Sequence, residues 1–122
     1  MRLEDIRFKA KRLDNGEWVE GDFFRSEDCA FIAPFGVVDV FPVDPSTVCQ
    51  YTGLKDEVGN LIYENDIIQD DGADRYIIEY KNGCFVMIDP YGNYCGLLSD
   101  IIDEGVLRRD WILLGSKFDK EV

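Results

Sequence analysis

Histidine is absent from the 122 residues, which removes much of the side-chain chemistry open to a chain of this size. Neither imidazole acid–base catalysis nor a Ser–His or Cys–His nucleophile can be assembled. Carboxylates and thiols remain. The densest carboxylate set, Asp70, Asp71 and Asp74, is the best metal candidate, yet its spacing does not match a calcium-binding EF-hand loop and no helices flank it. A solvated hairpin tip is the preferred reading. Glu64 and Asp66 fall on one face at a strand start, the geometry of an acid–base pair and equally of an ordinary turn. The cysteines, Cys29, Cys49, Cys84 and Cys95, are spread too widely for a zinc knuckle or a disulfide framework. They are expected to be reduced and mostly buried, with Cys84 and Cys95 near enough across strands to bridge under oxidation. No glycine-rich run leads from a strand into a helix, so no phosphate cradle is present. The expectation is no enzyme, no cofactor and no bound metal.

Charge narrows the classes further. The formal net charge is −12, with a net +3 on residues 1–13 and −15 on the remainder. An acidic body disfavours non-specific nucleic-acid binding, which needs clustered cations. A barrel-type nucleic-acid binder using Arg2, Arg7, Arg108 and Arg109 is therefore a minor alternative. Solubility is the plain meaning of the acidity; imitation of nucleic acid, or attraction to a basic partner, is the sharper one.

The elements that must position these residues read as β-structure. At 122 residues, 46% apolar and 13% aromatic, the chain can fill one core or two small ones. No apolar run is long enough to span a bilayer and the first residues lack a secretory apolar region, so no membrane association and a cytoplasmic location are expected. Residues 6–13 alternate, with Ile6, Phe8 and Ala10 on one face and Arg7, Lys9 and Lys11 on the other. Taking Asn15-Gly16 as a two-residue tip places Lys11 opposite Glu20, Lys9 opposite Asp22, Phe8 opposite Phe23 and Ala10 opposite Gly21. Cys29–Ala33 and Val37–Phe41 read as a second pair around Pro34-Phe35-Gly36. Val48–Thr52 reads as a further strand, and residues 53–60 as a loop. Arg75–Lys81 and Cys84–Asp89 flank a second tip, Asn82-Gly83, which pairs Tyr80 with Phe85 and Ile78 with Met87 on a core face. Leu97–Ile102 carries helical spacing for one or two turns, and Val106–Leu114 reads as a closing strand.

Between these halves lies the stretch of highest information. Val43, Asp44, Pro45, Thr47 and Val48 open it, Gln50, Tyr51, Thr52, Gly53, Leu54, Asp56 and Gly59 continue it, and Ile62, Tyr63, Glu64, Asp66 and Ile67 close it. This pattern closely resembles the signature of the YopX family, small proteins found mostly in bacteriophages and prophages. Arg7-Phe8-Lys9-Ala10 and Leu114-Gly115 are similar, more weakly, to its opening and closing strands. Asn65 stands where the family usually has glycine, but asparagine also tolerates the left-handed conformation. Lys11 replaces a common aromatic residue, and the closing segment lacks the usual acidic-proline ending. The resemblance implies a mostly-β protein in a bacterial host cell and carries no catalytic residue set.

The expected fold is mainly β: an N-terminal β subdomain (1–52), a signature loop and connection (53–64), and a C-terminal small SH3-like open barrel with one short helix (65–122), the two subdomains packed together. The signature has two readings. In one, its glycines permit unusual backbone angles, Asp56 bonds its own loop and the tyrosines bury rings. In the other, Gln50, Tyr51, Thr52, Asp56, Tyr63, Glu64 and Asp66 line a recognition surface. Two functions of different class follow: a non-enzymatic protein-interaction module that forms a homo-oligomer through sheet edges and aromatics and binds a host or phage protein, or an acidic nucleic-acid mimic that inhibits a DNA- or RNA-binding enzyme.

Overall fold

The computed structural model describes residues 2–119, and the chain divides into two compact units, Met1–Tyr51 and Thr52–Val122. The first unit contains β1 (Phe8–Lys11), β2 (Trp18–Ser26), β3 (Cys29–Ala33), β4 (Phe41–Val43) and the start of β5 (Cys49–Lys55). β1 pairs antiparallel with β2, with Phe8 opposite Gly21, Lys9 opposite Glu20, Ala10 opposite Val19 and Lys11 opposite Trp18. The register expected from an Asn-Gly tip is therefore displaced by two residues. The reason lies in the turn: Gly16 donates to the Arg12 carbonyl (2.9 Å) and Arg12 to Glu17 (2.9 Å), so residues 13–16 form a four-residue loop. Asn15 Oδ1 caps it by accepting from the Glu17 N–H at 2.9 Å. An even displacement leaves every side chain on its expected face. Phe8 and Phe23 still touch, with ring centroids 5.6 Å apart, while the charges re-pair. The Lys9 and Lys11 ammonium groups lie 4.4 and 5.0 Å from the Trp18 ring centroid, a cation–π arrangement.

β2 changes partner along its length, pairing with β1 as far as Gly21 and with β3 from Asp22 onward. Ala10, Ala30, Ile32 and Val43 form the buried centre of this unit, with Phe8, Val19, Phe23 and Val48 packed around them. The strand expected over Val37–Phe41 begins instead at Phe41, where Ile32, Phe31 and Ala30 pair with Phe41, Pro42 and Val43. The apolar residues before it sit in a loop, and Val38 is 98% exposed. Proline 42 is accommodated because its carbonyl, not a missing N–H, is used: it accepts from Leu13 at 3.1 Å.

In the second unit the end of β5 pairs with β6 (Leu61–Tyr63), and Lys55 lies parallel to Val106. β5 thus runs through Gly53 to Lys55, into the region expected to be loop. β7 (Asp66–Gln69), β8 (Arg75–Lys81), β9 (Cys84–Ile88) and β10 (Tyr94–Leu97) follow, then β11 (Ile102–Asp103), β12 (Val106–Leu107) and β13 (Ile112–Ser116). Five of them make an antiparallel sheet in the order β10-β9-β8-β7-β13, which remains open; its strands close no barrel. The Asn82-Gly83 hairpin has the register read from sequence, including Ile78 opposite Met87 and Tyr80 opposite Phe85. Ile62, Ile68, Ile78, Met87, Leu98, Ile101 and Leu107 are the core. Tyr80 departs from it, standing half exposed in edge contact with Phe85 (5.2 Å), while Val86 and Ile88 on the opposite face are buried. The helical spacing at 97–102 produces a single 3-10 turn, Leu98–Ile101. The expected closing strand is split, because Trp111 donates to the Arg108 carbonyl (3.0 Å) and turns the chain between β12 and β13.

One loop design recurs in this unit. Asp56 Oδ1 accepts from the N–H of Val58 (3.1 Å) and Asn60 (2.8 Å). Asp70 Oδ1 does the same for Gly72 (3.0 Å) and Asp74 (2.9 Å), and Asp89 Oδ1 for Tyr91 (2.9 Å) and Asn93 (2.8 Å). The fourth position of each loop is left-handed: Gly59 (φ 94°), Gly92 (φ 87°) and, in the middle loop, Ala73 (φ 68°). An L-residue there costs about 1–2 kcal/mol, against about 0.4–1 kcal/mol lost to a floppier unfolded chain on changing it to glycine. Ala73→Gly should therefore raise the urea midpoint without altering the slope, and a lower midpoint would refute the strain. Asp89 gives a pH prediction. Its carboxyl is held below the usual range first by the Asn93 backbone hydrogen bond, opposed by burial, with the Asn93 amide, the Tyr91 N–H and the Cys95 thiol adding to the lowering. A depressed folded value means the loop's contribution is complete above the unfolded carboxylate pKa and is lost as pH falls through the lower folded one. Carbon-13 titration of Asp89 should give a midpoint below that of a free aspartate side chain; a midpoint at or above it would contradict the hydrogen-bond account.

Candidate functional site

The central signature is built into the scaffold. Asp44 caps the 3-10 turn Pro45–Thr47 by accepting from the Ser46 N–H (3.0 Å), and Thr47 Oγ1 accepts from the Lys11 N–H (2.8 Å), tying that turn to β1. Tyr51 is buried, its N–H donating to the Arg7 carbonyl at 2.9 Å. Its hydroxyl pKa is pushed up by burial first and by Asp5 second, with Arg7 opposing. The Thr52 hydroxyl donates to the Ile62 carbonyl (2.7 Å) and accepts from the Leu54 N–H (3.2 Å), clamping the β5–β6 pair where Gly53 takes φ 86°. Asp56 is occupied by its own loop. Tyr63 and Asp66 are both buried, and Asp66 Oδ2 accepts from the Tyr63 N–H at 2.8 Å. Between them Asn65 adopts φ 70°, the left-handed angle expected of the residue in the glycine position.

Of the seven candidate recognition residues, the structure thus places Tyr51, Tyr63 and Asp66 inside and commits Thr52 and Asp56 to loop hydrogen bonds. Gln50 and Glu64 are half-buried, so the seven do not make one exposed surface. Glu64 and Asp66 do not form an open carboxylate pair, because Asp66 is 2% exposed. Asp70, Asp71 and Asp74 belong to a hydrogen-bonded loop, and no group of three or more potential metal ligands occurs among the described residues. The four arginines considered for nucleic acid each face a carboxylate: Arg2 with Glu4 (3.4 Å), Arg7 with Glu20 (3.6 Å), Arg108 with Asp110 (3.6 Å) and Arg109 with Glu57 (3.4 Å).

The thiols correct another expectation: only Cys49 is buried, and Cys29, Cys84 and Cys95 are exposed. The three occupy strand ends and a bulge, where alternation gives no inner face. Cys84 opposes Lys81, whereas Cys95 sits in the bulge between Tyr94 and Gly96, so the two are not cross-strand neighbours.

What the first unit does offer to solvent is apolar. Phe24 stacks on Phe31 across the β2–β3 pair, with centroids 5.1 Å apart and planes 15° from parallel, and Pro42 lies opposite Phe31 on the far side. Phe24 is 44% exposed, and the loop after β3 exposes Phe35, Val37, Val38 and Val40 as well. Isolated apolar residues on a surface are ordinary; the Phe24–Phe31 stack is different in that two neighbouring rings present one apolar surface. The sequence held the signal: alternation in β2 puts Phe24 in phase with the charged Glu20 and Asp22. The 34–40 loop was hidden because its apolar run imitates a strand.

Backbone edges offer less. Both end strands of the five-stranded sheet, β10 and β13, carry register shifts, β4 is three residues long with a proline, and β11 has two residues. Short, bulged or proline-bearing strands resist edge-to-edge pairing.

No helix among the described residues is long and apolar enough to cross a membrane. A family model described as YopX protein matches residues 4–105. No curated protein matches the chain.

Proposed function

Since the chain belongs to the YopX family, we propose that it is a phage- or prophage-type, non-enzymatic protein-interaction module, acting in the cytoplasm of a bacterial host and binding a host or phage protein through side-chain faces. The observation that carries this reading is the outward Phe24–Phe31 stack together with the exposed Phe35, Val37, Val38 and Val40. Burial of such rings supplies most of the energy of a docking surface. Self-association belongs to the same proposal, but through these aromatics rather than through the blunted strand edges. An SH3-like arrangement of residues 65–122 also belongs to it, supported by five antiparallel strands and one 3-10 turn.

Affinity capture from host lysate at low and high salt, with the wild-type chain and a Phe24→Ser/Val38→Asp variant, tests the proposal. A partner held at high salt by the wild type and lost by the variant is expected. Equal capture by the variant would remove the apolar face from the account. The acidic nucleic-acid mimic is the second reading, favoured by the −15 on residues 14–122. It requires a basic nucleic-acid enzyme that is captured and then released as salt screens the attraction.

A further inference from the structure

The second unit holds a cavity of about 470 Å3 between the Asp70–Asp74 and Asp89–Asn93 loops, lined chiefly by Asp74, Arg75, Tyr76, Asp89, Tyr91 and Cys95. Its floor is fixed: the Tyr76 ring lies 5.6 Å from that of Trp111, which packs on the core. Its rim is open by contrast, since Tyr91 is 89% exposed at the loop tip. Negative side chains converge here. The Tyr76 hydroxyl pKa is raised by burial first, and then by Asp70, Asp74, Cys95 and Asp89 in turn. Arg75 is the single cation in the lining, so acidic groups outnumber it.

The chemistry selects among cations. Asp70 and Asp89 already accept backbone N–H bonds, which suits them poorly to wrap a bare ion, and no metal-binding group of three occurs among the described residues. A guanidinium differs from a metal or an ammonium. It is planar and weakly hydrated, stacks on aromatic faces and meets a carboxylate edge-on with two N–H donors. Tyr76, Tyr91 and the Asp74 side chain line the same cavity and can answer both demands. We propose that this cavity seats an arginine side chain presented by a basic segment of the partner protein. The inference rests on the reading of the chain as an interaction module and adds an anchor chemically different from the aromatic face of the first unit.

The probe is the tripeptide acetyl-Gly-Arg-Gly-amide, titrated into the full chain and followed by amide NMR, with acetyl-Gly-Lys-Gly-amide as comparison. Saturable shifts confined to residues 73–76 and 89–95 are expected, with the lysine peptide weaker. Tyr91→Ala should weaken arginine-peptide binding by roughly two- to five-fold, the size of an exposed cation–π contact, and Asp74→Asn should weaken it and reduce its salt dependence. Both positions are exposed loop or strand-flank sites, so neither change threatens the fold. Shifts scattered over the surface, equal binding of the lysine peptide, or no saturation would overturn the proposal. Because the readout needs no natural partner, a failure here leaves the capture experiment to judge the module reading separately.

Discussion

Gly21→Ala should be the most damaging single-methyl change in the first unit. A Cβ built on Gly21 runs into the Ala33 carbonyl oxygen and comes within 2.7 Å of Pro34 Cα and 2.8 Å of the Ala33 carbonyl carbon. These are backbone atoms of β3 and the residue after it, so no rotamer change relieves the clash. Gly21 is also where β2 leaves β1 and takes up β3, and the two backbones are closest at that exchange. Separating them would loosen Ile32, which is fully buried. Overpacking normally costs about 1–3 kcal/mol, and a rigid backbone obstacle belongs at or above the top of that range. That is a large part of a domain stability of about 5–15 kcal/mol. Gly16→Ala is the control: its φ is +72°, but a Cβ there meets nothing within 4 Å. It should lose only about 1–2 kcal/mol from the left-handed angle. Urea unfolding of the two variants tests the account, and equal losses would show that the close approach at Gly21 does not govern stability.

Asp66→Ala should rank next. The Asp66 carboxylate is buried and accepts the Tyr63 N–H at 2.8 Å across the turn that joins β6 to β7. Removing it strands a buried donor and leaves a small void. Hydrogen bonds to charged groups contribute about 1.5–3 kcal/mol, and an orphaned buried group costs about 1–3 kcal/mol. A loss of about 2–4 kcal/mol is expected on those figures. Asp66→Asn retains an acceptor oxygen and should recover part of it. If alanine and asparagine prove equally mild, the turn is held instead by its backbone bonds, Asn65 to Ile78 (2.7 Å) and Lys117 to Asn65 (2.8 Å). A large alanine effect has a functional corollary: Asp66 in the signature is accounted for by folding and needs no ligand to explain it.

Much of the β-architecture was legible because strand alternation has a period of two and survives errors of detail. The N-terminal hairpin shows this. Its register lies two residues from that of an Asn-Gly tip, yet Phe8 and Ala10 stay on the inner face, because parity, not pairing, determines the face. The Asn82-Gly83 hairpin has the pairs its sequence predicts, since a two-residue loop leaves no latitude in register. At Asn15-Gly16 the same dipeptide sits inside a longer loop, and the choice is made by the Arg12–Glu17 bond, which depends on where the two strands can pack. The loop chemistry of Asp56 was also legible, being local: its carboxylate reaches two and four residues ahead.

By itself, then, the sequence determined the class of protein, mainly β and acidic, without imidazole chemistry, and its membership of the YopX family through a signature two dozen residues long. Only the tertiary structure decided where those signature residues lie. Tyr51, Tyr63 and Asp66 are types that serve equally on a surface or in an interior, and burial, which depends on residues far away in the chain, assigned them to the interior. Burial also sent Val37, Val38 and Val40 outward despite their apolar character, because Phe41–Val43 had taken the pairing positions on β3. The cavity beneath Tyr91 was invisible for the same reason. Its two loops lie 15 residues or more apart in sequence, and pairing of β8 with β9 brings their bases side by side. Local chemistry writes turns and alternation into the chain, whereas exposure is a property of the assembled fold.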